Sequence, residues 1–94
     1  MNAIQKMNCH RILEHYGIES QRRILVEECA ELIQAISKVE RNGSTTEMIR
    51  NLFAEIADVE IMLEQVKHHY SEWGTEKLID YKLNRQLERI KKGR

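Results

Sequence analysis

The sequence predicts an all-α fold: an antiparallel bundle of about four helices, completed by dimerisation or tetramerisation. Three observations lead there. Proline is absent and only four glycines interrupt 94 residues, so little stands in the way of long helices. Charged residues make up 32% and hydrophobic residues 41%, a mix that suits amphipathic helices better than disorder. Two long internal segments carry apolar side chains at the helical repeat. The length fits one domain, residues 1–94, with no room for a second core.

The elements follow from punctuation and periodicity. A first helix is expected near residues 3–16, stopped by Gly17, since glycine takes the left-handed conformation without a Cβ clash. A second is expected near 21–41, capped by Ser20 and ended at Gly43. Its Ile24, Leu25, Leu32, Ala35, Ile36 and Val39 fall in one arc of about 120°. A third is expected near 45–71, with Ser44 as cap and Glu47 completing a capping box. Its Met48, Ile49, Leu52, Ile56, Val59, Leu63 and Val66 share an arc of about 100°. Gly74 is expected to end it, and Thr75 to cap a fourth helix near 76–92 with an apolar set of Ile79, Leu83, Leu87 and Ile90. The middle helices would be about 30–40 Å long. Helices of that length bury their stripes best as an antiparallel pair and then against a second copy of the chain.

Charge and composition exclude several function classes. Fifteen basic residues balance fifteen acidic ones, which argues against dedicated nucleic-acid binding and against a polybasic membrane anchor. No apolar run approaches the ~20 residues of a membrane span, and no signal peptide heads the chain, so a cytoplasmic site of action is expected. Two cysteines, Cys9 and Cys29, make neither a disulfide framework nor a metal knuckle, and both read as small buried hydrophobes. There is no phosphate loop, no dinucleotide fingerprint and no paired-histidine zinc motif. The adjacent His68 and His69 point apart on a helix.

Four acids sit where apolar residues belong. Glu28 lies inside the stripe of the second helix with Glu31 at its edge, and Glu55 and Asp58 hold equivalent places on the third. Each pair is spaced i, i+3, so its carboxylates leave the helix on one side. None of the four has a Lys or Arg within one turn on its own helix, whereas Glu27 has Arg23 one turn back. Two unit charges ~4 Å apart repel by roughly 4 kcal/mol at an effective dielectric of ~20. Acids brought together in a partly buried seam must therefore take up protons, borrow cations or hold metal. Oxygen ligands without His or Cys suit Mg²⁺ or Mn²⁺. A wet edge of the stripe would account for the same pattern with no ligand at all.

The run Val26-Glu27-Glu28-Cys29-Ala30-Glu31-Leu32, followed by Ala54-Glu55-Ile56-Ala57-Asp58-Val59, resembles the EExxE…ExxD signature of the MazG-like, all-α nucleoside triphosphate pyrophosphohydrolases. The stretch from Tyr81 to Ile90 is similar to the basic tail segment of that family. The resemblance covers roughly residues 18–90. It implies a dimeric or tetrameric helical bundle that cleaves a (d)NTP between its α and β phosphates. It also implies metal ligands at Glu28, Glu31, Glu55 and Asp58, the acids already singled out. Glu27 matches the first Glu of the signature, to orient water or simply to pair with Arg23. Lys82, Arg85 and Arg89 share one face of the last helix, within about 60°, and are expected to clamp the outer phosphates. Asn84 matches a polar position of the family and is a candidate contact to sugar or phosphate. Cations near a helix C-terminus also complement its dipole with no ligand in view. Trp73 and Tyr81 are candidates for stacking on a base or for packing at a helix junction.

The leading expectation is thus a Mg²⁺-dependent enzyme releasing pyrophosphate from (d)NTPs. Two competitors are a non-catalytic helical module that dimerises or docks a partner helix, and a nucleotide-binding regulator without turnover.

Overall fold

The computed structural model describes residues 1–93. Four helices follow one another: α1 (Ala3–Tyr16), α2 (Ile18–Asn42), α3 (Thr46–His69) and α4 (Glu76–Lys91), with no strand among the described residues. Asn2 starts α1 with a reciprocal capping box. The Gln5 N–H donates to Asn2 Oδ1 and the Asn2 N–H donates to Gln5 Oε1, both at 2.8 Å.

Gly17 joins α1 to α2 by itself. Its N–H donates to the Leu13 carbonyl at 2.7 Å, and its own carbonyl accepts from Gln21 N at 3.1 Å. One residue therefore closes the first helix and opens the second. The backbone there stands at φ 85°, ψ 157°, a region essentially reserved for glycine. Because the reversal is so tight, α2 begins at Ile18, and Ser20 lies inside its first turn rather than capping it. The next connection is longer. Gly43 caps the end of α2, and Thr45, not Ser44, caps α3 by accepting from Met48 N at 3.2 Å. The extra residue carries the chain across to the antiparallel direction and moves Glu47 out of capping-box register.

The core lies where α2, α3 and α1 meet. Cys9, Leu13, Ala35, Val59 and Met62 are buried there. α2 and α3 form the principal pair, and α1 packs mainly on α3. A buried amide rung ties the pair together: Gln21 Nε2 donates to Gln65 Oε1 at 2.9 Å, with the two residues 4% and 1% exposed. Neither amide could be hidden without such a partner. α1 is held to α3 by a His10 Nε2–Glu64 Oε2 contact of 2.8 Å, and the His10 ring stacks on His68 with centroids 3.5 Å apart. The His10 pairing holds the Glu64 carboxyl below its usual range. Burial, then the charge of Glu64, pushes the Cys9 thiol up, so Cys9 is a packing residue.

Further expectations change. α3 ends at His69 with Tyr70 as cap, and Gly74 is not a left-handed terminator, because among the described residues positive φ occurs at Gly17, Gly43 and Gly93. Cys29 is exposed rather than buried, since it lies on the outer side of α2. The fourth helix does not join the bundle: α4 packs against none of the other three, and none of its residues is buried. Within one chain the architecture is a three-helix bundle with a projecting helix. Trp73 and Tyr81, at 77% and 64% exposure, do not pack at the junction before it.

Candidate metal centre

The acids come together because α2 and α3 are antiparallel and in one register. Gln21 faces Gln65, and at the same offset further along the seam Glu28 faces Asp58 and Glu31 faces Glu55. These are successive rungs of one ladder. Glu28 and Glu55 are half-buried against the seam, while Glu31 and Asp58 are exposed at its mouth. One oxygen from each of the four lies within 4.8 Å of the others.

This geometry is electrostatically unfavourable for four ionised carboxylates. Burial raises the Glu28 carboxyl above its usual range, helped by the charges of Glu31, Asp58 and Glu55 and by the closeness of the Asp58 carboxyl. Burial likewise raises Glu55, with the charges of Glu31 and Asp58 and the closeness of the Glu31 carboxyl acting in the same direction. Without protons, none of the four can donate. Accordingly the Oε2 atoms of Glu28 and Glu55 are shut away from solvent with no hydrogen-bond partner. Buried oxygens of this kind are stabilised by taking a proton or a cation.

The donor set fits a hard divalent cation: four carboxylates, no nitrogen and no sulfur. Two oxygens trans on a single Mg²⁺, at ~2.1 Å each, are about 4.2 Å apart. The 4.8 Å spread is therefore slightly wide for one fully coordinating Mg²⁺. It suits a small inward movement of the side chains, or ions that reach some of the oxygens through water.

The remaining candidates divide. Glu27 is exposed one turn before Glu31, and it makes no ion pair with Arg23; the ion pairs among the described residues are His10–Glu64 and Lys91–Glu88. Lys82, Asn84, Arg85 and Arg89 are all exposed on α4. Since α4 does not touch the bundle, the acids and these residues are separate within one chain. One cation absent from the sequence expectations does act on the cluster. Lys38, on α2, draws the Glu55 carboxyl down against the other influences. It lies two turns after Glu31 on nearly the same face, so a search across two turns rather than one would have found it.

No helix of the described residues is long and apolar enough to cross a membrane. No family model matches the chain, and no curated protein or solved structure matches it.

Proposed function

We propose that this chain is a Mg²⁺- or Mn²⁺-dependent nucleotide pyrophosphohydrolase. It would act in the cytoplasm on free (d)NTPs, as the resemblance to MazG-like enzymes implies, and would work as a dimer or tetramer. The observation that carries the reading is the meeting of Glu28, Glu31, Glu55 and Asp58, with two of their oxygens buried and unpartnered.

In this reading the four carboxylates hold the ions, which when bound neutralise the triphosphate and make a water more acidic. A water oxygen adds to the α-phosphorus, and the α–β bridging oxygen leaves with pyrophosphate. A carboxylate of the cluster takes the water's proton. Half-buried Glu28 and Glu55 would hold the ions from below, and exposed Glu31 and Asp58 would hold them at the mouth, where the phosphates arrive. Lys38, which draws the Glu55 carboxyl down from within the bundle, is suited to a phosphate oxygen. Lys82, Asn84, Arg85 and Arg89 take part only if α4 is brought over the seam, by its own chain or by another copy.

The test is pyrophosphate release from a panel of ordinary and modified nucleotides, with and without Mg²⁺. Turnover is expected only with the metal. It should be lost in Glu28→Gln and Asp58→Asn while circular dichroism shows the helices intact. No product from any nucleotide would end the enzymatic reading, and tight binding without product would point to the regulator instead. The non-catalytic interaction module has one observation on its side: the exposed apolar side chains along the outer faces of α2 and α4.

A further inference from the structure

α2 has a second apolar stripe that the bundle does not use. Val26, Cys29, Ile33 and Ile36 follow one another at alternating spacings of three and four residues, the seam pattern of a helix that packs on another helix. None of them reaches the core: Val26 is 69% exposed, Ile33 64% and Ile36 47%, and Cys29 is exposed. At about 100° per residue this seam lies on the opposite side of α2 from Glu31 and Lys38. Ala30 and Ser37 border it, and their small side chains let a facing backbone come close.

The ends of the seam say what covers it. Continuing the same spacing, Arg22 lies one step before Val26 and Glu40 one step after Ile36. The Arg22 guanidinium is steadied there by donating to Tyr70 Oη at 2.7 Å. If a second copy of α2 lies antiparallel on the first, Arg22 meets the partner's Glu40 at one end, and the symmetry repeats the pair at the other. In between, Val26 faces the partner's Ile36 and Cys29 faces the partner's Ile33. A parallel pairing would set Arg22 against Arg22 and Glu40 against Glu40, which repel.

We infer that α2 of one chain packs antiparallel against α2 of a second copy through Val26, Cys29, Ile33 and Ile36, with Arg22 and Glu40 pairing across both ends. This rests on the self-association proposed above and locates it. It does not depend on the hydrolysis reading, because Glu31 lies opposite the seam and Glu28 about a third of a turn from it.

The experiment is sedimentation equilibrium on the full chain and its variants. Wild type is expected to dimerise, and Ile33→Glu to be monomeric with its helical circular dichroism unchanged. Arg22→Glu and Glu40→Arg should each raise the dimer dissociation constant about tenfold, since each turns two attractive pairs into repulsive ones. The double variant should return it to the wild-type value. A wild-type chain that stays monomeric would overturn both self-association and this surface. A dimer that survives Ile33→Glu would overturn the surface alone and move the contact to another face, such as that of α4. A double variant no tighter than the singles would overturn the antiparallel pairing.

Discussion

Replacing Glu28 by Gln keeps the shape of the side chain and removes one charge from the acid cluster. The direction of its effect should depend on metal. Burial and the neighbouring acids raise the Glu28 carboxyl in the folded chain. A group raised in this way contributes its full stability below the unfolded carboxylate pKa, and that stability is lost as pH rises through the folded value. At pH 7.5 with chelator present, wild type carries the unfavourable charge and Glu28→Gln does not, so the variant should melt higher. Metal reverses the order. Divalent ion at a hundredfold excess over its dissociation constant adds about 2.7 kcal/mol to the folded state. For a 94-residue chain each kcal/mol moves the melting temperature by about 4–8 °C, so saturating Mg²⁺ or Mn²⁺ should raise wild type by about 10–20 °C. Glu28→Gln loses the buried anchor oxygen and should gain far less. The assay is thermal unfolding by circular dichroism, in chelator and across a metal titration. If wild type does not respond to either ion, or if the variant responds equally, the cluster is not a metal centre.

Three further outcomes are expected. Gly17→Ala forces a Cβ onto a backbone at φ 85° and should lower unfolding stability by about 1–3 kcal/mol in urea titration, whereas Gly74→Ala, at ordinary φ, should change little. Gln65→Leu strands the Gln21 amide inside the bundle and should lower stability by about 1–3 kcal/mol, read from the same urea midpoints. The lowered Glu64 carboxyl contributes stability that is present above the unfolded carboxylate pKa and lost as pH falls through the folded value. Glu64→Gln should therefore lose less stability than wild type between pH 7 and pH 3, with the raised acids of the seam contributing alike to both.

The helices and the acid pairs were legible because both are local. Periodicity finds a stripe, and i, i+3 spacing finds two carboxylates on one side of a helix. What joins the pairs is the register of α2 on α3, and that depends on long-range partners such as Gln21 and Gln65, which read along the chain as ordinary polar residues. Lys38 escaped for a related reason: it lies two turns from Glu31, beyond the one-turn search, and acts across the seam on Glu55. The caps failed where two signals adjoined: Ser20 beside Gly17, and Ser44 beside Thr45. At Gly17 the one-residue connection, and at Thr45 the longer crossing to α3, chose the residue rather than the side-chain preference. The position of α4 was not legible at all, because an apolar stripe records that a helix seeks cover and not which surface provides it.

The amide rung between Gln21 and Gln65 has a consequence for the acids. Left to themselves, like charges would push two helices to slide or spread until the oxygens parted. A slide of even one turn would unpair both buried amides at once, at a cost of about 1–3 kcal/mol for each stranded group. The glutamines thus act as a detent: they fix the reading frame of the seam, so that the acids stay aligned whether empty, protonated or loaded.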